Sequence, residues 1–314
     1  TARTWHTRSG AKREQFATML GDRPKLLSVS SDNKRVAFVT RPEVSSTIFS
    51  NQLDATEESF SQWGTDFDRD GEHYCTYDEN SVVVREAGSG KELATFHRRL
   101  NQINDVLLSP DGKSVAISSL RGPTWLWHWS SNSSRVLLES DRSTNAMMFH
   151  PDEPRLVTAG IDAVVRSWNS TNGEPIGERV IERTSPKAPS DTTAQAVPGL
   201  EGDSKVKADP EKRSEAAGQN GSAAIRIRDI SFSPDGSRLV VVLQSNQASV
   251  LDADSLEEIA RIKGEGVRFQ IATFSASSQH IVTLDLQGGP QYCWDAATGK
   301  QRHQFEIAKD LVRM

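Results

Sequence analysis

Cysteine, long apolar runs and net charge are all scarce in this chain, and each scarcity excludes a class of protein. The 314 residues contain two cysteines, Cys75 and Cys293, which lie far apart, so no disulfide framework is indicated. No apolar run approaches the roughly 18 residues of a membrane-spanning helix. The net charge of −5 is too small to indicate nucleic acid or a membrane surface as a partner.

Motifs for catalysis, nucleotides and metals are also lacking. There is no Gly-x-Ser-x-Gly motif that would indicate a nucleophile elbow. Residues 88–91 resemble the end of a phosphate loop, but that loop needs glycine where Arg85 stands and serine or threonine where Glu92 stands. His73 and Cys75 share one strand face, which provides too few ligands for a metal site. We therefore expect no catalytic residue, no cofactor and no metal.

The sequence instead contains a repeat. Variants of the segment Phe232–Gly236, Phe-Ser-Pro-Asp-Gly, recur along the chain. Their Asp position, or Ser277 where Asp is lost, falls at residues 32, 70, 111, 152, 235 and 277, with gaps of 38, 41, 41, 83 and 42 residues. A second marker follows 15 to 17 residues later, at Phe49, Arg85, Trp127, Trp168, Leu251 and Trp294. A fixed period near 41 residues indicates a solenoid or a propeller.

Each unit contains four short segments separated by turns of Gly, Pro, Asn and Asp, which predicts four antiparallel strands. In the third unit these strands are predicted at 105–108, 114–118, 124–129 and 136–138. The Asp-Gly turn fits between the first two strands because these residues tolerate a positive φ. Six units span 21–60, 61–100, 101–140, 141–182, 225–264 and 265–310. Residues 1–20 match the second half of a unit, with Trp5 at the second marker, so we expect a truncated repeat there.

Residues 183–224 do not fit the repeat. These 42 residues contain no aromatic side chain and are rich in Ala, Ser, Pro, Gly and charges. Such a segment cannot bury enough apolar surface to offset the entropy of ordering it, so we predict a disordered insertion. Subtracting its 42 residues from the gap of 83 restores one period of 41.

The period, the four strands, the Ser-Pro-Asp-Gly turn and the dipeptide Trp294-Asp295 resemble the WD-repeat β-propeller family. The resemblance covers the chain except 183–224, and it implies an all-β fold of four-stranded antiparallel blades, six of them plus a partial N-terminal blade, about seven in all. Residues 21–182 and 225–314 would be blades of one domain. Divergent bacterial repeats are similar, including those attached to receptor-like Ser/Thr protein kinases, so we expect a fragment of a larger protein.

The chain departs from the family's pattern in two ways. Only Trp294-Asp295 keeps the Trp-Asp dipeptide, and the Gly-His pair before the first strand is absent throughout. The family's buried His–Ser/Thr–Asp–Trp network therefore cannot be complete in any blade. Asp78 and Asp162 match its turn Asp.

Trp125, Trp127 and Trp129 form the densest aromatic group, and strand alternation places all three on one face. One interpretation is packing between blades, with Trp127 at its centre. The other is that Trp125 or Trp129 reaches the rim and anchors a partner.

A candidate partner-binding surface follows from the family resemblance, which places the loops before each first strand on the top face, around the channel mouth. In each unit we consider the residue four positions before the one equivalent to Phe232; these residues form a column that consists of Lys25, Trp63, Asn104, Asn145, Arg228 and Gln270. Two positions earlier, three of the units have an arginine, namely Arg23, Arg226 and Arg268. Polar and cationic groups around a rigid mouth can hold a peptide or an anion. They can also be ordinary solvated loop residues. The insertion 183–224 would emerge on the same face.

The repeat and the missing catalytic motifs together predict a noncatalytic WD-repeat scaffold. It would bind a protein, a peptide or another domain of its own chain through top-face loops. One alternative is a propeller enzyme of the quinoprotein-dehydrogenase type, which residues 295–300 also resemble, although such enzymes keep an adjacent cysteine pair and Cys75 and Cys293 stand singly. A structural repeat spacer is the other alternative.

Overall fold

The structure, a computed structural model, describes residues 67–78, 81–87, 89–97, 103–120, 122–138, 144–181, 226–244, 246–264, 269–285 and 289–305, and the backbone of six strands between residues 2 and 60. Every secondary-structure element in these ranges is a β-strand, numbered β1–β25 in chain order. No helix of the described residues is long and apolar enough to cross a membrane. The predicted boundary at 20–21 and the predicted insertion 183–224 lie outside the described residues.

Five sheets have four antiparallel strands, paired in chain order. The first consists of β3 (Lys25–Val29), β4 (Arg35–Thr40), β5 (Ser45–Ser50) and β6 (Glu58–Phe60). The next consists of β10 (Ile103–Leu108), β11 (Ser114–Ser119), β12 (Thr124–His128) and β13 (Ser133–Leu138). It is followed by β14 (Thr144–Phe149), β15 (Arg155–Gly160), β16 (Val164–Asn169) and β17 (Pro175–Val180). The fourth consists of β18 (Ile227–Phe232), β19 (Arg238–Leu243), β20 (Gln247–Asp252) and β21 (Glu258–Lys263). The last consists of β22 (Ile271–Phe274), β23 (His280–Leu284), β24 (Gln291–Asp295) and β25 (Gln301–Phe305).

Two sheets are smaller. One pairs β1 (Ala2–Trp5) with β2 (Lys12–Phe16) and corresponds to the predicted partial blade. The other contains β7 (His73–Tyr77), β8 (Ser81–Glu86) and β9 (Glu92–His97). In that sheet a single bridge from Phe67 to Tyr74 stands where the other sheets have their innermost strand. Seven sheets agree with the prediction of about seven blades, and the four predicted strands of the third unit agree with β10–β13 to within three residues at each end.

The hydrophobic core is divided into clusters that lie between neighbouring sheets. One cluster joins the β7–β9 and β10–β13 sheets, a second joins β10–β13 and β14–β17, and two more continue to β18–β21 and β22–β25. Innermost strands are neighbours in the same sequence, with β10 beside β14, β14 beside β18 and β18 beside β22. Sheets that bury both faces against the next sheet in succession form a β-propeller. We call the end where innermost strands begin the top end, and the end with their first turn the bottom end.

The tryptophans of the second marker fill the spaces between these sheets. Trp127, Trp168 and Trp294 are 0%, 8% and 4% exposed. The indole Nε1 of Trp168 donates a 2.9 Å hydrogen bond to Oγ1 of Thr158 on the adjacent strand, and Trp294 makes the same bond to Thr283. In two blades these bonds correspond to the Trp–Thr part of the network of WD-repeat propellers, which was predicted to be incomplete in every blade.

Trp125 and Trp127 of β12, and Trp129 just after it, pack toward the β7–β9 sheet, as strand alternation predicts. The centroid of the fully buried Trp127 ring lies 5.2 Å from that of Phe96 on β9, and Trp125 meets the same ring edge-on at 5.8 Å. Trp129 lies beside His73, and its Nε1 donates to the Gly112 carbonyl at 2.6 Å. All three side chains belong to the packing between two blades.

One column of residues at the bottom end explains why the first turn recurs. In the five blades whose first turn is described, the residue that follows the innermost segment caps that turn with its side chain. Ser233 accepts a hydrogen bond from the Arg238 amide and donates to Asp235, and Ser109 makes the equivalent bonds. The other members of this column are Asp68, His150 and Ser275. Each side chain satisfies amides that the tight turn leaves without a strand partner.

Candidate partner-binding surface

The predicted column lies at the top end, at irregularities in the innermost strands. Asn104, Asn145 and Arg228 each occupy the extra position where the register shifts between the first and second strands of a sheet. A bulge of this kind bends the strand and re-aims one side chain out of the alternating pattern. The structure thus brings three of the predicted residues to equivalent places in consecutive blades.

Two members of the column connect neighbouring blades. The Nδ2 group of Asn104 donates to the Thr144 carbonyl at 3.3 Å, and Asn145 donates in the same way to the Ile227 carbonyl at 3.0 Å. Each acceptor is the first residue of the next innermost strand. These asparagines hold the top ends of three blades at fixed positions relative to one another.

The two described arginines of the surface, Arg226 and Arg228, are exposed. Among the described residues, the guanidinium groups of Arg226 and Arg228 have no hydrogen-bond or ion-pair partner, while the Arg226 carbonyl accepts from the Gln244 amide. Arg226 directly precedes β18 and Arg228 lies within it, so both side chains start from a fixed backbone. Guanidinium groups so placed can bind carboxylate or phosphate groups in a bidentate manner.

The remaining predicted residues are described to different extents. Gln270 is partly buried, and its backbone N–H donates to the Leu284 carbonyl. Lys25 begins β3, of which only the backbone is described. Trp63 and Arg268 lie outside the described residues, so their place on this surface stays a prediction.

Two carboxylates next to the column are partly buried, and their role was not recognised from the sequence. Burial raises the pKa of Asp105 to about 6, and the nearby Asp229 carboxylate contributes to the increase. Burial likewise raises the pKa of Asp229 to about 6, although amides of Ile230 and Ala272 donate to it. Both residues directly follow a bulge, in β10 and in β18. This shared position in the repeat is the signal by which they could have been found.

Tyr77 lies within the electrostatic reach of this pair. Burial, followed by the charge of Asp105, raises the pKa of its phenol to about 12. The hydroxyl therefore stays protonated at neutral pH and can donate a hydrogen bond. The top end thus combines exposed guanidinium groups with carboxylates and a phenol that lie deeper.

This arrangement can bind charged and polar groups. Among the described residues, no three His, Cys, Asp or Glu side chains are grouped closely enough to hold a metal ion. Cys75 and Cys293 are both free and buried, on β7 and β24 of different sheets, so they do not form the adjacent pair that the quinoprotein alternative requires.

Comparison with known proteins agrees with this architecture. Residues 129–169 match the sequence profile of the WD domain, G-beta repeat. No curated protein sequence matches the chain. Among solved structures, the β-propeller domain of Cps50 (Swd1) from Myceliophteria thermophila is similar over 92% of this chain and 88% of that chain, with a TM-score of 0.65 and 12% sequence identity. The predicted all-β fold and the resemblance to WD-repeat β-propellers are confirmed.

Proposed function

We propose that this propeller is a noncatalytic scaffold that binds a protein partner, or another domain of its own chain, through its top end. The observation that carries the proposal is the pair of exposed guanidinium groups, Arg226 and Arg228, which have no partner among the described residues. Propellers of the WD-repeat type are typically interaction scaffolds, and function in repeat folds lies in the surfaces they present.

A fixed backbone supports this use of the surface. Binding groups held on strands lose less conformational entropy on association than groups on mobile loops. Arg228 extends from β18, which the hydrogen bond from Asn145 to the Ile227 carbonyl connects to β14 of the neighbouring blade. An acidic peptide would meet arginines that are already positioned.

The partner's chemistry follows from the charges. Exposed guanidinium groups favour a peptide that carries carboxylate or phosphate groups, because these accept two parallel N–H bonds from one arginine. Ile181 and Arg226, between which the predicted insertion 183–224 lies in the sequence, are both at the top end, where the Ile181 amide donates to the Ala163 carbonyl and the Arg226 carbonyl accepts from the Gln244 amide. Predicted residues Trp63, Lys25 and Arg268 would extend the surface around the ring.

The test compares a double substitution with a matched control. Immobilised wild-type protein, R226A/R228A and R302A are exposed to lysate of the source cells, and the retained proteins are identified by mass spectrometry. Arg302 is an exposed arginine on the outer strand β25, where it pairs with Asp295 at 2.7 Å. We expect R302A to retain the wild-type partner and R226A/R228A to lose it. Retention of the same proteins by all three would remove the top end from consideration.

A further inference from the structure

A cavity of about 400 Å³ lies at the bottom end, between three consecutive blades. Arg69 and Asp70 line it from the first of these blades, and Pro110 with Asp111 from the second. Residues 149–154 and Ser170 line it from the third. The cavity is large enough for one long side chain and lies away from the surface assigned to the proposed function.

The lining combines apolar walls with an acidic rim. Phe149 and three prolines, Pro110, Pro151 and Pro154, provide apolar area. The lining also contains four carboxylates, from Asp70, Asp111, Asp152 and Glu153, together with the Arg69 guanidinium group and the His150 ring. A ligand that fits this lining has an apolar stem and a cationic end, which is the chemistry of arginine and lysine.

Ser170 gives the cavity an unused hydrogen-bonding group. This residue is 7% exposed and lines the cavity. Its amide donates to Pro154 and its carbonyl accepts from Ser114, but its hydroxyl makes no hydrogen bond with any described residue. This hydroxyl opens into the cavity and is not bonded to any of the described residues, so it is available to accept a hydrogen bond from a ligand.

The chain's own Arg69 already shows that a guanidinium group suits the rim. Its Nη2 lies 2.9 Å from Oδ1 of Asp152, an ion pair that reaches from the first of the three blades to the third. The two side chains are 50% and 63% exposed. An ion pair this exposed contributes at most about 1 kcal/mol, so another guanidinium group can displace it readily.

We propose that this cavity binds the side chain of an arginine from a partner peptide, with its stem against the prolines and Phe149 and its guanidinium group between Asp152 and the Ser170 hydroxyl. Arg69 competes for Asp152 when no peptide is bound. Arginine fits better than lysine because its planar group can donate two parallel N–H bonds to the Asp152 carboxylate and still has donors for the hydroxyl.

The experiment uses the whole chain and four blocked pentapeptides, acetyl-Gly-Gly-Xaa-Gly-Gly-amide, in which Xaa is arginine, lysine, citrulline or glutamate. Binding is followed by the NMR shift of the Trp129 indole N–H. That group donates to the Gly112 carbonyl in the turn that contains Asp111, so it reports on the cavity wall. The variants are D152N, R69Q and S170A, with D254N as the matched control. Asp254 is 80% exposed, pairs with Arg155 at 2.7 Å and does not line the cavity; the ion pair of Arg155 with the lining residue Glu153, at 3.0 Å, is left in place by the substitution.

The proposal predicts saturable binding of the arginine peptide, roughly millimolar as expected for a single side chain. D152N should weaken that binding about fivefold, which corresponds to roughly 1 kcal/mol, and S170A should weaken it as well. R69Q should strengthen it about threefold because the competing group is removed. D254N should leave it unchanged, and citrulline should bind at least about fivefold more weakly than arginine.

Three results would overturn the proposal. The first is that the arginine peptide binds wild type and D152N equally, and the second is that the citrulline and arginine peptides bind wild type equally. The third is that the arginine peptide shows no saturable binding to R69Q even at ten times the peptide concentration expected to half-saturate that variant. A lysine peptide that binds as tightly as arginine would overturn the assignment to arginine. Because R226A/R228A does not alter the cavity, failure here leaves the proposed top-end function intact, and the converse also holds.

Discussion

Aspartates in this propeller have two opposite environments, and the difference sets how its stability depends on pH. Asp235 accepts hydrogen bonds from Ser233 and Ser237 at an exposed turn, which hold the pKa of its carboxyl well below the usual range. Asp295 behaves in the same way through Arg302 and Thr298. Asp105 and Asp229 instead have raised pKa values because burial disfavours their charged form.

The sign of the pH dependence follows from these shifts. A carboxyl with a pKa of about 6 in the folded protein and 3.8 ordinarily holds its proton more tightly when folded. Its protonated form therefore contributes fully to the free energy of unfolding below about pH 4, and this contribution is lost as the pH rises through about 6. Asp105→Asn removes the cost of burying a charged carboxylate. We therefore expect it to raise the free energy of unfolding by about 1–3 kcal/mol at pH 7.5 and by much less at pH 4.5.

Urea unfolding at the two pH values checks this, with Asp235→Asn as the comparison. Asp235 should be charged and hydrogen-bonded at both values, since its pKa lies below them in both the folded and unfolded states. Its substitution should destabilise the protein about equally at pH 4.5 and 7.5. A gain from Asp105→Asn that is the same at both pH values would show that burial of the carboxylate is not its cause.

At the scale of elements, the first turn fixes both the hairpin and its contact with the neighbouring blade. Gly236 has a φ of +72°, and the ring of His150 from the preceding blade lies directly against its Cα. His150 Nδ1 accepts from the amides of Asp152 and Glu153, so its Nε2 carries the hydrogen and donates to the Gly236 carbonyl at 3.0 Å. One buried side chain thus caps its own turn and holds the next one.

Gly236→Ala should therefore be strongly destabilising. The added methyl group would overlap the His150 ring, and the left-handed conformation disfavours any residue with a Cβ. We expect a loss of about 2–4 kcal/mol in the free energy of unfolding, measured by urea titration. Gly177→Ala is the matched control, because Gly177 lies on the outer strand β17 with no atom within 4 Å of the added Cβ. If both substitutions cost the same, the turn does not make the contact described.

The elements were predictable where local chemistry determines them. The strands of β10–β13 and the glycine turns follow from alternation and from residues that tolerate positive φ, which act within a few positions of the chain. The carboxylate pair of Asp105 and Asp229 and the bottom cavity were not predicted, because they depend on which blades meet in space. Asn104 and Asn145 were predicted as surface residues, but their bonds to the next blade could be seen only in the structure.

At the scale of the whole molecule, stability comes from contacts between neighbours in the ring. Among the described residues, four of the five core clusters join two sheets, so these sheets bury their faces against their neighbours. The side-chain bond from Asn145 to the Ile227 carbonyl adds to these contacts at the top end.

Asn145→Ala should weaken this connection. It removes one hydrogen bond of 3.0 Å and leaves the Ile227 carbonyl without that donor, which we expect to cost about 1 kcal/mol in the free energy of unfolding. Amide hydrogen exchange should accelerate in β14 and β18 more than in β10. Gln304→Ala, on the exposed outer strand β25, should change stability by less than about 0.5 kcal/mol. A cost no greater than that of the control would mean that the bond does not join the blades.

The dissociation constant of the purified partner, measured by isothermal titration calorimetry, tests the central claim most directly. The claim is that a ring of four-stranded blades presents Arg226 and Arg228 at its top end for recognition. For R226A/R228A we expect affinity at least about tenfold lower than for wild type, and for R302A affinity within about twofold of it. Equal affinities for all three proteins, with unchanged thermal stability, would contradict the claim.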